Sequence, residues 1–270
     1  MTHNTENIDR LTRLLLLIIA GMLALLLILT VVFFITKPAT TPRPDTSKPS
    51  DQPTNTQPEE KDNVTLSATA DAGMAYQDSI IFVGDSLTAH LVDRGVLTGG
   101  TETKQVWCPE NKMMNLNSEV SAAKIVYPET GEKMTVAQAA AKAKPAIMII
   151  TLGTDWGVSY LSEAEFKACY SGLIKDIQKA SPKTKIILQS IFPVTDFCPN
   201  LNNTKIDTAN KWVKAIAEEN GCRYLDTQTI LKDDKNNLKT EYCNSTDGIH
   251  LGADAYKAIL QYIRTHALTD

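Results

Sequence analysis

Short apolar runs alternate with amphipathic stretches over most of this 270-residue chain. Apolar runs of strand length, separated by segments with helical periodicity, are typical of a sheet that is buried on both faces. The predicted strands are Ser79–Val83, Lys104–Trp107, Ala146–Leu152, Lys185–Ile191 and Cys222–Asp226. The predicted helices are Leu87–Arg94, Val136–Ala143, Ser162–Ala180, Ile206–Asn220 and Ala253–His266. The pattern predicts an α/β fold with a parallel sheet covered by helices on both sides.

A run of apolar residues without any charge occupies positions 14–35, ahead of that pattern. At about 1.5 Å per residue it would give roughly 33 Å of helix, which matches a bilayer core of about 30 Å. A signal peptide is the competing interpretation, but its apolar region is usually about 7–15 residues long and ends in a small-residue cleavage site. We therefore expect residues 14–36 to form a transmembrane signal anchor after a cytoplasmic tail of residues 1–13. Arg10 and Arg13 favour this orientation.

Residues 37–73 are rich in Pro, Thr, Ser, Asp and Gln. That composition cannot bury a core, so it predicts a disordered stalk. The stalk would hold a globular domain of residues 74–270 away from the membrane. These segments together predict a single-pass protein of the cell membrane with an extracellular C-terminal domain.

Charge and cysteine usage limit the partners and cofactors. The formal net charge of −4 argues against nucleic-acid binding. The sequence contains no CxxC motif and no Cys/His cluster, so no zinc site is expected. All five cysteines follow the apolar run, and an outside location would permit a Cys198–Cys243 disulfide.

Two polar motifs follow predicted structural elements at the positions where a parallel sheet presents its ligand sites. The segment Gly84–Leu87 (GDSL) places Ser86 at a strand-to-helix turn. Near the other end, Asp247 comes three residues before His250, so one turn can bring both side chains to the same side. Alone, the first motif could be a helix cap and the second an Asp-Gly turn with a surface histidine. Together they supply a nucleophile, a base and an orienting carboxylate.

Histidine is scarce, which narrows the choice of base. Besides His250, the chain has His3 before the apolar run, His90 and His266. His90 follows Ser86 by four residues on the same predicted helix and is the main rival, but we expect it to point along the helix and away from the serine. A nucleophilic Cys108 is a weaker alternative, since no histidine is near it in sequence.

The two motifs resemble blocks of the SGNH (GDSL) hydrolase family, and the resemblance covers about residues 78–266. A further family block, Gly-x-Asn after the third strand, is matched here by Gly153-Thr154-Asp155-Trp156. The resemblance implies a three-layer α/β/α fold of the flavodoxin-like type with a five-stranded parallel sheet. It also implies ester hydrolysis by a Ser86–His250–Asp247 triad, with neither a metal nor an organic cofactor.

The chain departs from the family at the oxyanion hole, which would use the N–H of the nucleophile, the N–H of a second-block glycine and the third-block Asn. The second-block glycine is missing, and Asp155 occupies the Asn position. An ionised carboxylate cannot donate a hydrogen bond. Either Asp155 is protonated, or it points away and Trp156 or a backbone group completes the site, or the domain is slow or inactive. Ser86, Gly153, Asp155 and Trp156 are the candidate oxyanion and substrate-binding residues.

The family resemblance and the expected location predict an extracytoplasmic serine esterase that cleaves acyl, chiefly acetyl, esters of cell-wall or other glycans. The anchor resembles those of Gram-positive bacterial surface proteins. One alternative is an O-acetyltransferase that uses the same triad. Another is a catalytically weak glycan-binding module, because of Asp155. A lipid esterase is also conceivable, although the sequence shows no long apolar lid.

Overall fold

The structure is a computed structural model that describes residues 62–154 and 156–269. The predicted tail at 1–13, the predicted membrane anchor at 14–36 and the larger part of the predicted stalk lie outside these residues, as does Asp155. No helix in the described part of the chain has the length and apolar character to cross a bilayer.

Five strands form one fully parallel sheet, as the sequence predicts. The strands of the described residues are β1 (Ile80–Gly84), β2 (Val106–Trp107), β3 (Lys124–Val126), β4 (Lys133–Thr135), β5 (Ile147–Thr151), β6 (Lys185–Gln189) and β7 (Arg223–Leu225). The sheet order is β2-β1-β5-β6-β7, which is the flavodoxin-like order of doubly wound folds. Strands β3 and β4 form a separate antiparallel hairpin that the sequence analysis missed.

Five helices correspond to the predicted ones, and the others are short. The α-helices are α1 (Gly73–Asp78), α2 (Ser86–Asp93), α3 (Val136–Ala143), α4 (Gly157–Tyr160), α5 (Glu163–Ala180), α6 (Asn203–Glu219), α7 (Gln228–Leu231) and α8 (Ala253–Thr265). Single 3-10 turns lie at Gly100–Glu102, Val120–Ala122 and Thr240–Tyr242. The sequence analysis missed α1, α4 and α7.

Helices cover both faces of the sheet because the side chains of each buried strand alternate between two apolar cores. In β1, Ile80 and Phe82 belong to a core with residues of α2 and α8, whereas Val83 belongs to a core with residues of α3, α5 and α6. This arrangement confirms the three-layer α/β/α sandwich.

The folded domain begins earlier than residue 74, where the sequence analysis placed its start. Thr65 forms a parallel bridge with Tyr224 of β7, and the N–H of Leu66 donates to the Tyr224 carbonyl at 2.8 Å. Leu66 is buried in the core that contains α8. The prediction of a stalk up to residue 73 was therefore wrong for its last part, because a few apolar residues within a polar segment were enough to pair with the sheet edge.

Gly84 ends β1 directly before the candidate nucleophile, and space at this position is very tight. A Cβ atom there would lie 2.2 Å from Thr88 Oγ1 and 2.4 Å from the Thr151 carbonyl oxygen. Because neither atom belongs to a long flexible side chain, the turn or the neighbouring strand would have to move.

We expect Gly84→Ala to lower the free energy of unfolding by about 1–3 kcal/mol, the usual cost of overpacking a core. Gly172→Ala in α5 is the control, because a Cβ there would meet only Ser121 Oγ, at 3.8 Å. Urea unfolding of the two variants and the parent measures the difference. If the Gly84→Ala variant were as stable as the parent, the claim that the turn at Gly84 has no room for a Cβ atom would be contradicted.

Candidate active site

Ser86 lies at the sharp turn between β1 and α2. The turn is capped by Asp85, whose side chain accepts a hydrogen bond from the Leu87 N–H at 3.0 Å. Because Asp85 is the cap, Ser86 becomes the first residue of the helix and its hydroxyl is available for other contacts. The simpler interpretation allowed either Asp85 or Ser86 to cap the helix, and the structure has Asp85 as the cap and not the serine.

Asp247 and His250 lie on a loop that is closed at its base by antiparallel pairing. Cys243 bridges Leu251, and the N–H of Asn244 donates to the His250 carbonyl at 2.9 Å. The loop is tied to the segment after β6, because the N–H of Thr195 donates to the Gly248 carbonyl at 2.9 Å. These bonds fix the loop over the carboxyl ends of the strands.

The three predicted triad residues are joined by hydrogen bonds. Ser86 Oγ lies 3.2 Å from His250 Nε2, and His250 Nδ1 lies 2.6 Å from Asp247 Oδ2. Ser86 and His250 are 164 positions apart in sequence. The side chains of His250 and Asp247 are 29% and 42% exposed, so the site opens to the surface instead of lying in a deep pocket.

The Asp247 carboxylate is held in its ionised form. Burial tends to raise the pKa of Asp247. The hydrogen bonds that the carboxylate accepts from the Ser245 hydroxyl, from the Ile249 backbone N–H and from the side chain and backbone of His250 outweigh this effect, and they hold the pKa well below its usual range. Oδ1 accepts the backbone N–H groups of Ile249 at 2.8 Å and His250 at 3.2 Å, together with the Ser245 hydroxyl. Oδ2 is left to face the imidazole.

This geometry can activate a hydroxyl. A carboxylate at Nδ1 favours the tautomer that carries its proton there, so Nε2 is free to accept a proton from Ser86. The serine also begins a helix, where unpaired backbone N–H groups and the helix dipole favour negative charge on a nearby oxygen. In the described part of the chain, no three His, Cys, Asp or Glu side chains cluster closely enough to hold a metal ion.

The register between β1 and β5 brings the segment after β5, which contains candidate oxyanion-hole residues, close to Ser86. Gly84 pairs with Thr151, so Ser86 and Gly153 each lie two residues beyond paired positions on neighbouring strands. Gly153 has a φ of +122°, and a Cβ there would lie 2.8 Å from Ile191 Cδ1. Only glycine suits this backbone. Asp155 follows it and lies outside the described residues.

Trp156 is 41% exposed and stacks on Tyr160, which is 65% exposed, with ring centroids 4.5 Å apart. The sequence analysis named Trp156 among the candidate oxyanion and substrate-binding residues. The exposed pair lies at the carboxyl edge of the sheet, on the segment that follows Gly153. A core role is excluded for Trp156.

Sequence reasoning missed two features of the site. The hydroxyl of Ser245 binds Asp247, although nothing in the sequence distinguishes this serine from its neighbours. His90 was expected to point away from the serine, yet its ring centroid lies 4.8 Å from that of His250. That expectation did not take into account the loop that carries His250, which comes from a distant part of the chain and packs against the His90 ring.

The structure does not contain the disulfide that the sequence analysis expected. All five lie among the described residues, and each is a free thiol, so the Cys198–Cys243 pairing is not formed. Proximity to the cleft mouth does not ensure the short Cα distance that a disulfide needs. Burial raises the pKa of Cys108 to about 11, so this thiol is protonated at neutral pH and is a poor nucleophile.

The fold and the site together define a three-layer α/β/α domain with a serine at a strand-to-helix turn, next to a histidine that is hydrogen-bonded to an aspartate. A sequence profile of the GDSL-like lipase/acylhydrolase family matches residues 82–258, which is more than half of the chain. The chain belongs to this family and is a carboxylic ester hydrolase by class. The resemblance drawn from the GDSL and DxxH blocks is thereby confirmed. A search of curated protein sequences finds no match.

Similar solved structures include a GDSL-like lipase from Bacteroides thetaiotaomicron, with 17% identity, coverage of 70% of this chain and 87% of that chain, and a TM-score of 0.47. A family two carbohydrate esterase from Clostridium thermocellum gives 14% identity, 68% and 61% coverage and a TM-score of 0.47. A family 3 carbohydrate esterase from Talaromyces cellulolyticus gives 14% identity, 68% and 93% coverage and a TM-score of 0.45. Because these identities are below 25% and these TM-scores are below 0.5, the family assignment rests on the sequence profile and not on the solved structures.

Replacing Asp247 tests the hydrogen-bond chain. In Asp247→Asn, the amide N–H₂ would face Nδ1 and favour the wrong tautomer of His250, so we expect kcat/KM on an aryl acetate to fall by about 10³–10⁴. Asp254→Asn is the control, because Asp254 is an exposed residue of α8 that forms an ion pair with the exposed Lys257. Equal rates for Asp247→Asn and the parent would contradict the role of the carboxylate.

Proposed function

We propose that this chain is a serine esterase that hydrolyses acyl esters, chiefly acetyl esters, on glycans by means of Ser86, His250 and Asp247. The observation that carries the proposal is the unbroken chain of hydrogen bonds from Ser86 Oγ through His250 to Asp247. The family establishes ester hydrolysis as the class of reaction, and this chain of contacts supplies the groups to perform it.

In the first half of the reaction, Ser86 Oγ attacks the ester carbonyl carbon while His250 Nε2 takes the hydroxyl proton. The negative charge on the carbonyl oxygen is met by N–H groups at the start of α2, with the backbone of Gly153, two residues after β5, as a further candidate. Asp247 stays ionised and stabilises the imidazolium. The tetrahedral intermediate collapses, the alcohol leaves with the proton from His250, and Ser86 carries the acyl group.

In the second half, water attacks the acyl-enzyme. His250 Nε2 removes a proton from the water as the oxygen bonds to the acyl carbon, and it returns that proton to Ser86 Oγ as the acid departs. Atoms and charges balance without any further reactant. A glycan hydroxyl in place of water would make the same intermediate a route to O-acyl transfer, so the choice between water and alcohol separates an esterase from a transferase.

Support for a glycan comes from the surface beside the triad. Trp156 and Tyr160 offer exposed, stacked rings, and large exposed aromatic surface near a reactive site is typical of ligand binding. Next to them is a cavity of about 380 Å³ whose lining includes Tyr160, Lys205 and Ile249, the residue before His250. Aromatic faces pack well on sugar rings, and the open site admits a bulky alcohol.

The proposed location follows from residues 1–61 and rests on sequence alone. An anchor at 14–36 and a polar stalk would place the domain outside the cytoplasm, where wall or other surface glycans are the available esters. Small-molecule esters would then serve as incidental substrates of the same site.

The experiment compares two substrates on the full-length chain. We expect acetate release from O-acetylated glycan and from an aryl acetate, and a fall of about 10³ or more for both in Ser86→Ala. We expect Tyr160→Ala to raise the KM for the glycan ester by about tenfold and to leave the aryl acetate within about twofold, since the small ester does not need the aromatic surface.

Met74→Ala is the control, because Met74 is also a large exposed side chain (50%) and lies on α1, before the sheet begins. Full activity of Ser86→Ala would overturn the esterase mechanism. A different outcome would overturn only the glycan assignment and leave the esterase mechanism intact. In that outcome the parent hydrolyses the aryl acetate, but Tyr160→Ala has the same KM for the glycan ester as the parent. Transfer of the acetyl group to a glycan hydroxyl faster than to water would assign the site to an O-acetyltransferase.

A further inference from the structure

His90 packs directly against the imidazole of His250. The ring centroids are 4.8 Å apart and the ring planes are tilted by 42°. The His90 side chain is only 18% exposed, and it comes from the same helix that Ser86 begins. The reaction places a positive charge on His250, so the charge of this neighbouring ring matters for the rate.

Hydrogen bonding favours a neutral His90. Its Nδ1 atom is buried and has no hydrogen-bond partner among the described residues. A protonated Nδ1 would bury an N–H without an acceptor, which costs more than burying the bare nitrogen of the neutral ring. Nε2 faces Asp93 at 3.7 Å, so the neutral tautomer with its proton on Nε2 suits both ring nitrogens.

The negative charge of Asp93 alone would favour protonation of His90, but Asp93 already forms an ion pair with Lys112. Lys112 Nζ donates to both carboxylate oxygens of Asp93, at 2.8 and 2.7 Å. The other charged or titratable groups that act on His90 are Arg94, the residue after α2, and His250 itself. The Cys108 thiol, on which Lys112 and Asp93 also act, is uncharged. Burial and the charges of His250, Arg94 and Lys112 lower the pKa of His90, against the opposing effect of Asp93.

We propose that His90 is a positioning residue that supports the His250 ring as an uncharged neighbour, and that the Lys112–Asp93 ion pair keeps it uncharged. The inference rests on the proposed role of His250. A neutral ring fixes the position of His250 without opposing the imidazolium that forms when Ser86 reacts. A charged ring at 4.8 Å would oppose it.

Lys112→Met tests this arrangement without changing any residue of the triad. Loss of the lysine leaves Asp93 free to attract a proton to His90, which raises the His90 pKa. Below that pKa the charged ring slows the reaction, so the acidic limb of the kcat/KM profile should move to higher pH by about half a unit or more, with a loss of about threefold near pH 6 and little change near pH 8.

His90→Gln provides the decisive comparison, because glutamine fills similar space and carries no charge. The pH shift caused by Lys112→Met should disappear when His90→Gln is also present. Lys133→Met is the matched control, since Lys133 pairs with Glu110 in another exposed ion pair. An unchanged profile in Lys112→Met, or a shift that persists in the double variant, would overturn the proposal.

Side-chain NMR of the histidines distinguishes this proposal from the esterase mechanism, because it needs no activity. The chain has only four histidines, so the His90 signals are assignable with His90→Gln. We expect the His90 ring to carry its proton on Nε2 at pH 7 and to titrate below about 6.5, the value of an unperturbed imidazole, with a higher midpoint in Lys112→Met. A parent midpoint at or above that value would contradict the proposal even if the chain proved inactive.

Discussion

The parallel register of β1 and β5 is the constraint on which the rest of the site depends. Because Gly84 lies opposite Thr151, the segments that leave these two strands emerge side by side. One contains Ser86, and the other contains Gly153 and leads to Trp156. A parallel sheet directs every such segment to the same edge, so residues distant in sequence meet without any special connection. The tight packing at Gly84 holds the turn in this register.

Charge at the site is divided between two histidines with opposite environments. His250 faces a carboxylate that is held ionised by two backbone N–H groups and a serine hydroxyl. His90 faces a carboxylate that Lys112 already neutralises, and its Nδ1 atom is buried with no hydrogen-bond partner in the part of the chain that the structure describes. The two rings touch, yet the surroundings of His90 favour its neutral form, whereas His250 has beside it the ionised carboxylate that would stabilise an imidazolium during the reaction. A catalytic imidazole needs this asymmetry, because two adjacent cations would repel each other.

Much of this architecture could be predicted from the sequence, and the failures have physical causes. The five sheet strands were visible because buried apolar runs such as Ile147–Thr151 are bounded by turn residues. The β3–β4 hairpin was missed because Lys124–Val126 and Lys133–Thr135 are short and mixed in polarity. Other features depend on how loops from distant parts of the chain pack together, and the spacing of residues along one helix or strand does not predict this packing. These features are the contacts of Ser245 and His90 and the unpaired thiols of Cys198 and Cys243. The start of the domain depends on a few apolar residues near Leu66.

The most direct test of the account is the site of covalent modification by a serine-directed phosphonate on the full-length chain, located by peptide mass spectrometry. The account predicts a single adduct on Ser86, formed quickly in the parent, absent in Ser86→Ala and much slower in His250→Gln, because the hydroxyl needs a base to become nucleophilic. An adduct on another residue, or equal labelling of the parent and His250→Gln, would contradict the proposal that Ser86 is activated by His250.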